Sequence, residues 1–230
     1  MRCRPSDWVA AATSGLLIRR MGCQNSAPTR CSVTKQQGYP MNKLLLGCVV
    51  ASLASLPAGA DLKPGTSAPE FSAQASMNGK AFHYSLKNAL KKGPVVVYFY
   101  PSAYTSGCNI QAHTFSVNAE KFTAAGASIV GVSLDSIERL NDFSKDPAYC
   151  AGKFPTASDA DGKIAKSFDV AVEEGSPSDV DSRGKAIGHG FASRTTFIVT
   201  PDDKIVATIG GIAPADNVQK ALEAVQNLKK

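Results

Sequence analysis

Val95-Val96-Val97-Tyr98-Phe99-Tyr100 runs directly into Pro101-Ser102-Ala103-Tyr104-Thr105-Ser106-Gly107-Cys108, and how this stretch reads decides the fold. Three valines and three aromatics lie between Gly93-Pro94 and Pro101. Such a short run of β-branched and aromatic residues, bounded by turn formers, predicts a buried strand. Beyond Gly107 the chain reads as a helix up to Gly126, with Ile110, Phe115, Val117 and Phe122 as its expected buried stripe. Cys108 therefore falls in the first turn of a helix that follows a central strand. Amide N–H groups of that turn have no intrahelical partner, and the helix dipole favours negative charge beside them. A nucleophilic thiolate is the chemistry such a place supports.

Working outward, residues 128–134 predict a second buried strand, and 136–145 a helix with Ile137, Leu140 and Phe143 at core-facing spacing. Residues 154–159 read as a short extended piece and 162–168 as a short helix. Residues 195–199 and 204–208 read as two strands joined at Pro201-Asp202-Asp203, and 214–228 as an amphipathic helix through Val218, Leu222, Val225 and Leu228. Ahead of the central strand, Asn78-Gly79 signals a tight hairpin between 71–75 and 81–84. Residues 85–92 predict a short helix ending at Gly93-Pro94. Residues 173–190, rich in Gly, Ser and Asp and without periodicity, read as an exposed loop. Strands alternating with helices, then a hairpin and a last helix, predict a three-layer α/β domain. There is no internal repeat and no phosphate-cradling glycine motif.

Charge divides the chain. Seven of 25 Lys+Arg but only one of 19 Asp+Glu lie in residues 1–60, so eighteen of each remain from Asp61 onward. The formal charge of +6 belongs to the leader and does not indicate a nucleic-acid or acidic partner. Met41-Asn42-Lys43 is a short basic opening, 44–56 is apolar, and Ala58-Gly59-Ala60 is a small-x-small cleavage site before Asp61. That order is expected of a secretory signal peptide, with residues 1–40 read as an upstream start called too early and export to a bacterial periplasm as the destination. An Arg-rich organellar transit peptide is the rival. Leu45-Leu46-Gly47-Cys48 looks like a lipoprotein box, but the apolar stretch before it is too short to be a signal core. Residues 61–230 then form one domain with its own core. Only Cys108 and Cys150 remain in it, as an optional bridge or a chemical pair.

Pro-x-x-x-Thr-x-x-Cys after such a strand, here Pro101, Thr105 and Cys108, resembles the active-site signature of the peroxiredoxins of the AhpC/TSA superfamily. Ala68-Pro69-Glu70-Phe71, Phe154-Pro155, Ser158-Asp159-Ala160-Asp161-Gly162-Lys163 and Ser193-Arg194-Thr195-Thr196-Phe197 extend the resemblance over nearly all of 61–230. Their order and spacing most resemble the bacterioferritin-comigratory protein, or peroxiredoxin Q, subfamily. The resemblance implies a thioredoxin-like fold with an N-terminal β-hairpin extension, and thiol-dependent reduction of hydrogen peroxide and organic hydroperoxides. It also implies a thioredoxin-like or other thiol reductant; no metal or organic cofactor is expected, the short apolar leader predicts no stable membrane association, and monomer and homodimer both stay open. By the same resemblance Cys108 is the peroxidatic cysteine, Thr105 and Arg194 are its polar partners, and Pro101 is the lid that shields it. Chemistry supports those roles independently. Arg194 keeps its charge at any working pH and stabilises a thiolate or a developing oxyanion. Thr105 offers a hydroxyl that accepts from the peroxide and donates to sulfur.

The chain departs from the subfamily pattern in one place. Many peroxiredoxin Q proteins carry the resolving cysteine five residues after the peroxidatic one, where this sequence has His113; Gln111 stands at a neighbouring position that is often Glu. A surface histidine is the plain reading of His113. Cys150, in Asp146-Pro147-Ala148-Tyr149-Cys150-Ala151-Gly152, is the preferred resolving cysteine. A one-cysteine mechanism with an external thiol, and a static bridge or inert thiol, stay open. Two other functions suit the same fold. A thiol–disulfide oxidoreductase usually needs Cys-x-x-Cys, and Gln111 occupies the second cysteine's place. A non-enzymatic peroxide sensor would keep a reactive Cys108 with negligible turnover.

Overall fold

The computed structural model describes residues 61–228; the expected upstream start and signal peptide fall on residues 1–60 and lie outside the described residues. β1 (Ser72–Met77) and β2 (Lys80–Ser85) pair antiparallel from Ser72 opposite Ser85 to Met77 opposite Lys80. Asn78 and Gly79 close the hairpin with φ of 51° and 75°. A two-residue turn with both angles positive matches the twist of the flanking strands, and Asn-Gly is the pair that tolerates it. Ser85 then caps α1 (Leu86–Leu90), its side chain accepting from the Asn88 amide.

The central strand is β3 (Val95–Phe99), buried along its whole length, and it leads to α2 (Ser106–Ala124). There follow β4 (Ser128–Ser133), α3 (Ile137–Lys145), β5 (Thr156–Ser158) and α4 (Lys163–Ser167). A short ribbon of β6 (Val172–Glu173) and β7 (Phe191–Ala192) precedes the hairpin β8 (Thr195–Val199) and β9 (Ile205–Gly210), and α5 (Pro214–Asn227) ends the fold. Seven strands form one mixed sheet in the order β2-β1-β5-β4-β3-β8-β9. β3 lies parallel to β4 and antiparallel to β8. It therefore brings the start of α2 beside the start of β8.

Strand alternation builds two cores from one run of residues. Val96, Tyr98 and Tyr100 face α2, α3 and α5 with Phe115, Phe122, Leu140, Phe143, Val218 and Leu222. Val95, Val97 and Phe99 face α1 and α4 with Leu86, Leu90, Ala165, Phe168 and Phe197. The sheet is thus covered on both sides, as the three-layer reading expects.

Three expectations are corrected. Ile110 and Val117 are exposed, at 49% and 62%; the buried stripe of α2 is Cys108, Gln111, Ala112, Phe115, Ala119 and Phe122. At 3.6 residues per turn that set follows from Cys108 itself, which β3 forces inward, whereas Ile110 and Val117 lie well round the helix from it. Leu228 is exposed beyond the end of α5, whose buried face instead includes Asn217. Residues 173–190 are mostly exposed, but they bury Asp181 and Ile187 and pair Val180 with Ala186.

Candidate active site

β3 ends at Phe99, the chain passes through the buried turn residues Ser102, Ala103 and Tyr104, and it re-enters regular structure at Ser106. Thr105 occupies the cap position with an extended backbone, but its hydroxyl makes no cap bond. It donates to the Ser102 carbonyl at 2.9 Å. The proton expected on sulfur is therefore directed into the turn, and the oxygen lone pairs stay available to an incoming donor. Pro101 is half-buried at the start of the same turn. Cys108 is 2% exposed in the first turn of α2.

Arg194 comes from the segment between β7 and β8. Its Nη2 donates to Cys108 Sγ at 3.4 Å, and its Nη1 donates to Gln111 Oε1. Gly107 makes this approach possible: a Cβ there would lie 3.0 Å from Arg194 Nη2. Gln111 is completely buried on the same face of α2 as Cys108. In sequence it stands out only as a departure from Glu and as the residue in place of a second cysteine. A helical count from Cys108 would have placed it on the buried face, but only the fold supplies its partner.

The turn before Cys108 is fastened from below. Buried Asp135, just past β4, accepts from the Ala103 amide at 2.7 Å, from Ser102 Oγ at 2.8 Å and from Ser133 Oγ at 2.7 Å. Arg139 Nε pairs with it at 2.9 Å, and His189 Nε2 donates to it at 2.8 Å. His189 Nδ1 faces the Gly190 carbonyl at 2.7 Å. Both ring nitrogens thus face acceptors, which an imidazolium satisfies and a neutral ring does not. Burial pulls the His189 pKa down, yet the bond to Asp135 and its charge raise it overall. Burial pushes the Asp135 carboxyl up, but the bonds from His189, Ala103 and Ser133 hold it below the ordinary carboxylate value.

Residues of the 173–190 segment clasp the turn from outside. The Ser182 amide donates to the Tyr104 carbonyl at 2.9 Å, and the Arg183 guanidinium stacks 3.2 Å from the Tyr104 ring centroid. Asp181 accepts from Arg139 Nη2 at 2.9 Å and from Arg183 Nη2 at 2.7 Å. Burial opposes its charged form, but bonds from Arg183 and Lys185 hold its pKa at about 2. These contacts restrain Tyr104 at φ 63°, a conformation costly for a residue with a side chain. The segment read as a plain loop therefore shapes the entry to α2.

Cys150 is a free, fully buried thiol in the same core cluster as Cys108. Burial, reinforced by the Asp146 carboxylate, pushes its pKa well above the ordinary thiol value. Its loop turns at Ala151 and Gly152, with φ of 50° and 67°. His113 Nδ1 donates across to the Ala148 carbonyl of this loop at 3.1 Å. Among the described residues, no group of three or more His, Cys, Asp or Glu side chains gathers as a metal site would require.

The sequence model described as "AhpC/TSA family" matches residues 64–208. Peroxiredoxin Bcp of Xanthomonas campestris is 30% identical over 132 residues, covering 57% of this chain and 76% of that protein. The chloroplastic peroxiredoxin Q of Sedum lineare is 32% identical over 140 residues, covering 60% and 67%. Among solved structures, peroxidoxin BcpB of Mycobacterium tuberculosis superposes with a TM-score of 0.61 at 28% identity, over 74% of this chain and 99% of that one. The bacterioferritin comigratory protein of Xanthomonas campestris, in a structure that addresses its alkyl peroxide reduction, gives 0.56 at 24% identity, over 70% and 92%.

Proposed function

The chain belongs to the AhpC/TSA family, and from that premise we propose a peroxide-reducing cycle in which Cys108 is the attacking thiolate. The protein is a thiol-dependent peroxidase. One observation carries the assignment of its nucleophile: a buried cysteine in the first turn of a 19-residue helix, with a guanidinium nitrogen 3.4 Å from its sulfur.

The Cys108 thiolate attacks one peroxide oxygen, the O–O bond breaks, and the other oxygen leaves as hydroxide or alkoxide and takes up a proton. The enzyme keeps a sulfenic acid. Arg194 stabilises sulfur before attack and the leaving oxygen during it. Thr105, its proton turned to Ser102, is oriented to accept from the protonated oxygen. Pro101 and the turn it opens shield the sulfur from bulk water.

Cys150 then attacks the Cys108 sulfenic sulfur, forming the S–S bond as the S–O bond breaks and the hydroxide is protonated to water. In the reduced fold its thiol is buried and held protonated, so this step requires the 146–152 loop to open. An external dithiol of thioredoxin-like type supplies the two electrons that restore both thiols. The leader, read as a signal peptide ending at Ala60, would place the cycle outside the cytoplasm.

Intact mass after one equivalent of hydrogen peroxide tests the cycle. Wild type should lose two mass units, Cys150→Ser should hold a dimedone-trappable sulfenic acid, and Cys108→Ser should stay unoxidised. A stable sulfenic acid in wild type would remove Cys150 from the cycle, and oxidation of Cys108→Ser at the wild-type rate would remove Cys108.

A further inference from the structure

We propose that Asn217, on the far helix α5, is a positioning residue for peroxide reduction that acts through Gln111 on Arg194. The inference rests on the peroxidase reading of Cys108 and Arg194. Asn217 is completely buried, and a buried Asn on the apolar face of a helix is costly unless every polar atom is paired. Here each is. Nδ2 donates to the Ile209 carbonyl of β9 at 2.9 Å. Oδ1 accepts from Thr196 Oγ1 at 2.6 Å and from Gln111 Nε2 at 3.1 Å.

These bonds fix the direction of two amides in series. Ile209 offers only a carbonyl, so the Asn217 NH₂ must turn toward β9 and its oxygen toward α2. That oxygen accepts only donors, so the Gln111 NH₂ turns toward Asn217 and the Gln111 oxygen turns to Arg194. A guanidinium has donors and no acceptor. With Gln111 flipped, its NH₂ would face the guanidinium donor to donor, and Arg194 would be pushed from its position. The backbone of β9 thus sets, through Asn217 and Gln111, where the charge beside Cys108 sits. All three polar side chains of this relay, Gln111, Thr196 and Asn217, are completely buried, so solvent does not substitute for a missing partner.

Peroxide and an alkylating agent distinguish positioning from packing. Peroxide attack places negative charge on an oxygen beside the guanidinium, whereas iodide leaves iodoacetamide without needing a donor. In single-turnover reactions of Cys108, compared at the alkaline plateau where the thiol is fully ionised in every variant, Asn217→Leu should slow the hydrogen peroxide reaction about 10-fold while the iodoacetamide rate changes far less. Thr196→Val keeps the shape of β8 but removes one bond that holds Asn217; it should shift the ratio of the two rates the same way, by a smaller factor. Adding Asn217→Leu to Gln111→Met should slow peroxide no further than Gln111→Met alone, since the relay is already cut. The proposal is overturned if both rates fall together in Asn217→Leu and Thr196→Val, or if Asn217→Leu costs as much with Met at position 111 as with Gln. A wild type inert to hydrogen peroxide would instead refute the peroxidase reading on which the relay rests.

Discussion

Replacing Arg194 with Ala removes the cation that contacts the Cys108 sulfur. Two unit charges 3.4 Å apart attract by about 5 kcal/mol at an effective dielectric of about 20. Arg194 is only partly buried, so solvent screens a share of this. Loss of one preorganised donor elsewhere costs about 2.7–4 kcal/mol in the transition state. At about 3 kcal/mol, and 1.36 kcal/mol per decade, peroxide attack should slow on the order of 100-fold. Gln111 Oε1 loses its donor in the same variant, and an unpaired buried acceptor costs about 1–3 kcal/mol of stability. The assay is therefore rapid-quench oxidation of reduced protein by hydrogen peroxide at pH 7, read by intact mass, at a temperature where circular dichroism shows the variant folded. Arg194→Lys should fall between the two, since an ammonium lacks the planar fork that reaches Cys108 and Gln111 together. A folded Arg194→Ala protein oxidised within about threefold of the wild-type rate would refute the electrostatic account of this site.

Gly107→Ala should separate activity from stability. The new methyl would lie 3.0 Å from Arg194 Nη2, displacing the guanidinium and slowing peroxide attack by roughly 3- to 10-fold, while Ala in place of Gly leaves the helix as stable or more so; unchanged peroxide rates would show that the contact does not matter. His189 has a raised pKa in the folded protein, so its stabilisation is complete below its unfolded value near 6.5 and is lost as pH rises through the folded one. The stability gap between wild type and His189→Ala, measured by urea unfolding, should therefore be wider at pH 6 than at pH 9, and a gap that widens toward pH 9 would reverse the charge assignment. If residues 41–60 direct export, protein recovered from the periplasm should begin at Asp61, whose carboxylate accepts from Thr195 Oγ1 at 2.9 Å; recovery of the protein only from the cytoplasm, with an uncleaved N-terminus at Met1 or Met41, would end the export reading.

Much of this fold was legible because its causes are local. The central strand follows from Val95 to Tyr100 alone, and the Asn78-Gly79 hairpin from two residues whose backbone preference suits the turn. The capped starts of α1 and α3 follow from Ser85 and Ser136. The placement of Cys108 in the first turn of a helix was legible too, because a helix start after a buried strand is a local feature of the cysteine and its neighbours. Ile110 and Val117 misled for the complementary reason: hydrophobicity marks residues that suit burial, while the face of α2 that is buried depends on how β3 delivers Cys108 to the core.

What surrounds Cys108 was decided by the tertiary structure. Arg194 and Gln111 meet across 83 positions of chain, Gln111 and Asn217 across 106, and His189 and Asp135 across 54. No short-range periodicity predicts such pairs, since each depends on sheet order and on which helices share a face. Backbone preference and hydrophobic patterning thus specify the elements and put Cys108 at the start of α2. The Arg194 contact with Cys108 was expected from the resemblance alone; what holds that guanidinium in place, and the burial that raises the Cys150 pKa, follow from long-range packing and the low-dielectric interior it creates.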